Sequence, residues 1–498
     1  MPNARTLMIQ GTASGVGKSI LAAALLRIFR DMGLRAAPFK AQNMSNNSFI
    51  AVEGGEIARA QAMQAECAGV KPSIHMNPVL LKPHSDLGSQ VILRGRPVRH
   101  MKVREYRSFL AGAFPKVKES LSLLRRRFDV VVLEGAGSPA EINLGDSDFV
   151  NMKMARVAGA PVLLVGDIDR GGVFASLYGT YALLRREDRK RLAGFLINKF
   201  RGDASLLESG VEFLEKRTGI PVLGVIPYME DLLLDEEDSL QLPRHYSNGH
   251  MDVAVFQFPR ISNFTDFKPL AMEPGVKVRY FRRREEFGDP DLVILPGTKS
   301  TAGDLAFLRK QGLEAVIREY ARRGGALLGV CGGFQMLGEW IEDENRVESR
   351  QKKVRGLGLL PLKTHFSGDK VTREVQTFAE LSSNGRVTNE KVKGYEIHMG
   401  RSVALKGMAG KGALWSKGSI YGTYLHGLFD NDSFRRKFLR GLSDEAWARP
   451  RSGRGNKKVS QSAGSFRAVK EKSYAYLART VRKSIDLKHV LSLLRCSE

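Results

Sequence analysis

The chain is poor in cysteine, with Cys67, Cys331 and Cys496 among 498 residues. Three scattered thiols leave no disulfide framework and no zinc-ligand spacing, and they suit a reducing cytoplasm. Long apolar runs are also missing. No stretch of 18 or more apolar residues appears, so no transmembrane helix is expected, although 43% of the chain is hydrophobic and sizeable cores can be filled. The opening MPNARTLMIQGT lacks the charged, apolar and cleavage regions of a secretory leader. Acidic residues are scarce beside basic ones, 53 against 78, for a net charge of +25. Residues 449–498 alone hold 13 Lys or Arg against 3 Asp or Glu. Such charge raises nucleic acid as a partner. No zinc finger and no basic face interleaved with aromatics accompanies it, so none is expected, and anionic small substrates explain the charge at least as well. A nucleic-acid-binding P-loop ATPase remains the alternative of another class.

What is present is organised around Gly329-Val330-Cys331-Gly332-Gly333-Phe334-Gln335. The apolar run Ala326-Leu327-Leu328 before it reads as a buried strand, and Phe334–Gly338 as the helix that leaves it. A Cys at a tight strand-to-helix turn is held in the open, and flanking glycines permit the turn. A helix N-terminus behind a Cys favours thiolate. The N–H groups of Gly332 and Gly333 are the expected donors to a developing oxyanion.

A second centre lies near the start. Strand Thr6–Gln10 runs into Gly11-Thr12-Ala13-Ser14-Gly15-Val16-Gly17-Lys18-Ser19, and an Ala/Leu-rich helix follows. These are the parts of a phosphate cradle for ATP, with Gly11, Thr12, Gly15 and Gly17 in the loop, Lys18 reaching the β/γ oxygens and Ser19 a Mg²⁺ ligand. Five residues separate Gly11 from Gly17, one more than in the standard loop. The strand Val130–Leu133 ends on Glu134, a second candidate Mg²⁺ ligand. The polar run Gln42–Ser48 follows another strand, where open α/β sheets bind ligands. Asn198-Lys199 occupies the place where nucleotide-binding folds often read the base. Strands alternating with helices predict two doubly wound α/β domains. Their expected spans are 1–240 for a P-loop synthetase domain and 251–440 for a flavodoxin-like domain, with a linker through Glu230–Asp238 and Pro243–Gly249. Residues 441–498 are expected to be a basic, flexible tail, in which Tyr474–Leu494 has helical spacing and either docks or stays free, and removal of everything after about 448 should spare activity.

The Cys331 turn resembles the nucleophile elbow of class I glutamine amidotransferases, G-[aliphatic]-C-x-G-x-Q. The resemblance implies a catalytic His near the end of the domain, and His426 in Tyr421–Phe429 fits, 95 residues after Cys331. Most members follow that His with Pro-Glu; here Gly427-Leu428 follows. This matches the subgroup that acts with a Cys-His dyad and is fused to a dethiobiotin-synthetase-like domain, which also has the longer phosphate loop. Glu396 or His398, alternating on one strand, is expected to orient His426 unless the two are only a structural pair. The loop Pro296–Thr301 is a second expected source of oxyanion donors. Taken with the 11–19 loop, Gln42–Ser48, Asn77–Pro83, Glu134–Leu144, Asp167–Phe174, Asn198–Asp203 and Gly394–Gly400, the pattern resembles the cobyric acid synthase family over roughly residues 5 to 440. The implied reaction is ATP- and glutamine-dependent amidation of the b, d, e and g carboxylates of adenosylcobyrinic acid a,c-diamide, in cobalamin biosynthesis. A shielded path for ammonia between domains is implied with it. Cobyrinic acid a,c-diamide synthase, or an amidase of a cell-wall precursor, shares the same plan. Substrate-loop residues such as Asn43 and Asn47 would decide between them. A P-loop ATPase with an inactive amidotransferase domain is disfavoured, because Cys331 and His426 are both present.

Overall fold

The structure is a computed structural model and describes residues 3–85, 88–145, 148–229, 232, 249–349, 351–383, 386–405, 412–447 and 464–495. The expected linker, but for Leu232 and Gly249, lies outside the described residues. The chain forms two compact units. One comprises Met1–Ser45, Ala51–Asp235 and Lys470–Glu498; the other comprises Asn46–Ile50 and Glu236–Val469.

The first unit is built on a six-stranded, fully parallel sheet of β1 (Arg5–Gly11), β2 (Ala36–Phe39), β3 (Val130–Glu134), β4 (Val162–Asp167), β5 (Leu192–Phe200) and β6 (Val222–Pro227). Its strand order is β6-β5-β4-β1-β3-β2. Strands covered on both faces read as continuous apolar runs, which is why they are legible in the sequence. Their side chains divide by pleat. Leu7, Ile9, Val130 and Val132 face α1 (Lys18–Asp31). Met8, Val131 and Leu133 face the opposite way, toward Val117, Leu121 and Leu177 of the helices Val103–Arg127 and Val173–Leu183. A parallel sheet wound this way collects strand ends along one edge, and Gly11, Lys40, Glu134, Asp167 and Asn198 all stand there.

The second unit repeats the plan. Strands β7 (Met251–Phe256), β8 (Val276–Phe281), β9 (Leu292–Leu295), β10 (Ala326–Val330), β11 (Trp415–Lys417) and β12 (Ile420–Thr423) run in the order β8-β7-β9-β10-β12-β11. All pair in parallel except the edge strand β11. Helices α2 (Thr301–Lys310) and Leu313–Arg322 cover one face through Leu305, Leu308, Leu313 and Ile317. Phe434, Phe438 and Leu439 of the helix Asp432–Trp447 cover the other. A long antiparallel hairpin, Leu362–Ser383 with Arg386–Ala404, belongs to a separate four-stranded sheet.

The expectation of a basic tail from residue 441 needs correction. Residues 448–463 lie outside the described residues, but α4 (Phe466–Ser484) and α5 (Leu487–Arg495) are helices. Tyr474, Leu477, Ala478, Val481, Val490 and Leu494 are buried in the same core as Leu7, Ile9 and α1. Ion pairs fix the register: Arg27 with Glu471 at 2.6 Å and Lys470 with Glu66 at 2.5 Å, while the Tyr474 hydroxyl donates to Glu66 at 2.8 Å. Between the helices, the Asp486 N–H donates to Leu223 O at 2.7 Å, and Ile485 bridges Gly224 on the edge strand β6. A Cβ on Gly224 would stand 2.2 Å from Ser484 O, so that approach requires glycine. The basic residues Arg479, Arg482 and Lys483 lie on the exposed side of α4. The charge is thus the solvated face of an amphipathic helix.

Candidate functional site

In the first unit the loop between β1 and α1 forms the phosphate cradle. Gly15 and Gly17 have φ of 76° and 103°, the left-handed region that glycine enters without strain. A Cβ on Gly17 would lie 2.1 Å from Asn198 Nδ2. The Lys18 ammonium arches over the loop, donating to Ala13 O at 2.8 Å and Gly137 O at 3.0 Å, where it can exchange carbonyls for phosphate oxygens. Gly11 and Thr12 have other duties. Gly11 ends β1 and leaves room for Val16, whose Cγ2 would be 2.5 Å from an added Cβ. The Thr12 N–H continues the sheet ladder to Val165 O at 2.9 Å, so that amide is not a phosphate donor.

Glu134 is buried at the tip of β3 and gathers three donors. Ser19 Oγ and Lys40 Nζ each reach Oε1 at 2.7 Å, and Gln64 Nε2 reaches Oε2 at 2.6 Å. Sequence reasoning paired Ser19 with Glu134 but missed Lys40 and Gln64. Lys40 directly follows β2, which pairs with β3 as Phe39 opposite Leu133, so two adjacent strand tips present a cation and an anion. The hydroxyl and carboxylate oxygens of Ser19 and Glu134 are hard donors of the kind Mg²⁺ takes, and fit an ion that keeps waters and phosphate oxygens as its remaining ligands. Asn198 and Lys199, expected at the base-reading place, reach the phosphate loop. Asn198 Nδ2 donates to Val16 O, and Lys199 Nζ to Gly15 O, each at 2.8 Å, with Asp167 Oδ2 2.7 Å from Lys199. Both side chains buttress the phosphate loop.

In the second unit Cys331 sits between β10 and the six-residue helix α3 (Gly332–Leu337) with φ 51° and ψ −110°. That is a strained conformation for a residue with a Cβ, and it marks an elbow that projects the thiol. The glycines around it are forced by packing. A Cβ on Gly333 would fall 1.9 Å from Leu295 O, and one on Gly332 2.6 Å from Thr298 Cγ2. The Gly333 N–H is committed to Pro296 O at 3.1 Å, which removes it from the expected oxyanion pair. In the 296–301 loop the amides of Lys299, Ser300 and Thr301 donate to Arg260 O, Thr298 Oγ1 and Glu348. Gly332, Gly297 and Thr298 are left as the candidate donors. Gln335 of the elbow signature is a tie. It accepts from Thr301 Oγ1 at 3.0 Å and donates to Met399 O at 2.8 Å.

His426 is buried, and its Nδ1 lies 2.7 Å from Asp266 Oδ2. The other Asp266 oxygen accepts the Gly427 N–H at 3.1 Å. Burial alone would lower the imidazole pKa, but the Asp266 carboxylate and a hydrogen bond with the Cys331 sulfur outweigh it and push His426 up to about 10. The residue that orients His426 is therefore Asp266, not Glu396 or His398. His398 Nδ1 bonds Gly400 O at 2.9 Å and its ring stacks on Tyr424, while Glu396 pairs with Arg373. Asp266 escaped notice because it lies 160 residues upstream of His426. Its one signal is an acid enclosed by Phe264, Phe267 and Leu270, all buried.

A nucleotide cradle with an acid–base strand edge in one unit, and a Cys–His–Asp constellation in the other, define an ATP-dependent, glutamine-hydrolysing amidoligase. Residues 7–241 match the CobQ/CobB/MinD/ParA nucleotide binding domain, and residues 252–434 match the CobB/CobQ-like glutamine amidotransferase domain. The chain is 47% identical to cobyric acid synthase of Thermoanaerobacter sp. (strain X514), covering 98% of each chain. It is 50% identical to cobyric acid synthase of Sorangium cellulosum (strain So ce56), over 89% of this chain and 91% of that one. Cobyric acid synthase of Moorella thermoacetica is 46% identical, over 99% and 97%. The chain belongs to the cobyric acid synthase family, whose amidation step lies in cobalamin biosynthesis.

Proposed function

We propose that the enzyme converts adenosylcobyrinic acid a,c-diamide to adenosylcobyric acid by amidating the b, d, e and g carboxylates, in the cytoplasm. The observation that carries the reading is the pairing of two chemistries in one chain: a carbonyl-opening Cys331–His426–Asp266 set and a phosphate cradle with Lys18.

Cys331 as thiolate attacks the side-chain amide carbon of glutamine, and N–H groups at Gly332 and the 296–301 loop stabilise the oxyanion. His426, held as imidazolium by Asp266, protonates the nitrogen as the C–N bond breaks, and ammonia departs. Water, deprotonated by the now neutral His426, clears the thioester and releases glutamate. In the first unit the substrate carboxylate attacks the γ-phosphorus of ATP, giving an acyl phosphate and ADP. Lys18 neutralises charge on the transferred group. Ammonia then attacks the acyl carbon and phosphate leaves, forming the amide. Ser19 and Glu134 would hold a Mg²⁺ ion, which when bound supplies further neutralisation of the phosphate oxygens. Lys40 and Gln64 hold the Glu134 carboxylate in place by donating to its two oxygens.

One cradle serving several carboxylates requires the corrinoid to be released or turned between rounds. Incubation with the a,c-diamide, glutamine and limiting ATP, followed by mass spectrometry, should therefore show partly amidated intermediates. Absence of any corrinoid amidation, with glutaminase and ATPase intact, would refute the substrate assignment.

A further inference from the structure

Ser48, Phe49 and Ile50 are far in sequence from Cys331 and His426, yet they belong to the same compact unit. Each touches a support of His426. The Ser48 N–H donates to Asn263 Oδ1 at 2.8 Å. Asn263, at φ 50°, opens the turn Phe264–Phe267 that carries Asp266, and its carbonyl accepts the Asp266 N–H at 3.0 Å. The Phe49 ring meets Tyr395 edge-on with centroids 5.1 Å apart. Tyr395 in turn stacks on the imidazole of His426 at 5.4 Å and 25°, and the two residues exchange backbone hydrogen bonds of 3.1 and 2.8 Å. Ile50 packs with Tyr395 and Ile397 in a small buried cluster, and the Ile397 carbonyl lies 3.6 Å from Cys331 Sγ. A Cβ at Gly394 would stand 2.2 Å from His426 O, so this strand can approach only as glycine.

Three consecutive residues thus brace the turn that bears the carboxylate, the ring behind the imidazole, and the strand beside the thiol. We propose that Ser48–Ile50 complete the glutamine-hydrolysing site, with Phe49 as a positioning residue that holds Tyr395 against His426. The inference rests on the reading of Cys331 and His426 as the glutaminase pair. Asp266 anchors Nδ1 and the Cys331 sulfur bonds the ring as well, but hydrogen bonds at the ring edge leave its tilt to be set by its neighbours. The flat Tyr395 face sets it, and Phe49 keeps Tyr395 from tipping. Proton delivery to a departing nitrogen depends steeply on that alignment.

The test compares Phe49→Ala and Phe49→Tyr in the full chain, reading glutamate release from glutamine and, separately, ATP-dependent amide formation with ammonium chloride. In Phe49→Ala, kcat for glutamate release should fall by about 10-fold to 100-fold, the scale of an ångström-sized misalignment. KM for glutamine and ammonium-supported synthesis should hold near the parent values. Phe49→Tyr keeps the ring and should restore glutamate release. An unchanged kcat in Phe49→Ala, or an equal loss with ammonium as donor, would overturn the proposal. Cys331→Ala run alongside separates the layers. Glutamate release surviving there overturns the glutaminase assignment and the brace with it. Release lost there but intact in Phe49→Ala overturns the brace alone.

Discussion

At the residue scale the state of His426 turns on Asp266. Most amidotransferases of this class take the orienting acid from just after the His, and here Gly427-Leu428 occupies that place. The carboxylate arrives instead from a turn 160 residues earlier. Because it raises His426, the imidazolium persists well above neutrality. A folded-state pKa above the ordinary value means that the stabilisation is complete below that ordinary value and disappears as pH rises through about 10. Asp266→Asn keeps the shape and removes the charge, so the alkaline limb of kcat/KM for glutamine should move to lower pH. The rate should drop by about 10²-fold or more, the range for losing a positioned acid–base group. An unshifted limb would mean that Asp266 does not control the imidazole. The nucleophile was legible as a Cys in a Gly-rich turn, a local pattern, and the base only through the resemblance to the amidotransferase elbow. Asp266 was not, since only the fold brings it near. The strand-tip pair Lys40 and Glu134 falls between these cases. Glu134 was readable singly as a strand tip, but Lys40 and its pairing needed the register of β2 against β3.

At the element scale the parallel strands were readable as apolar runs ending in polar loops, and the helical spacing of Tyr474–Leu494 was readable too. The destination of that stretch was not, because its basic outer face dominates the composition and its inner face is split between two helices: Tyr474, Leu477, Ala478 and Val481 on α4, Val490 and Leu494 on α5. The structure reverses the expectation that residues after about 448 can be removed. Burying Leu477, Val481, Val490 and Leu494 contributes roughly 1.5–3 kcal/mol each. Their sum approaches the whole stability of a domain, about 5–15 kcal/mol. A chain ended at residue 465 should show a large drop in Tm or fail to accumulate in soluble form, with ATP-dependent steps lost first. A truncated chain with an unchanged unfolding transition would show that α4 and α5 are dispensable. The polar run Gln42–Ser48 shows the same limit. It reads as one loop, yet residues up to Ser45 belong to the first unit and Asn46–Ile50 to the second.

At the scale of the whole molecule, the chain carries two doubly wound sheets, each with its reactive groups at the carboxyl ends of its strands. The first sheet presents Lys18, Ser19, Lys40 and Glu134, all suited to phosphate and carboxylate chemistry. The second presents Cys331 and His426, suited to opening an amide. The central claim is this division of labour, with ammonia as the only species the two chemistries share. It is tested most directly by measuring amide formation with glutamine and with ammonium salt at alkaline pH in two variants, Cys331→Ala and Lys18→Ala. Cys331→Ala removes only the thiolate that opens glutamine, so glutamine should fail as donor and ammonium should restore synthesis. Lys18→Ala disables carboxylate activation, where even one positioned hydrogen-bond donor is worth about 2.7–4 kcal/mol, and neither nitrogen source should restore it. Glutamine-dependent synthesis by Cys331→Ala, or rescue of Lys18→Ala by ammonium, would contradict the account.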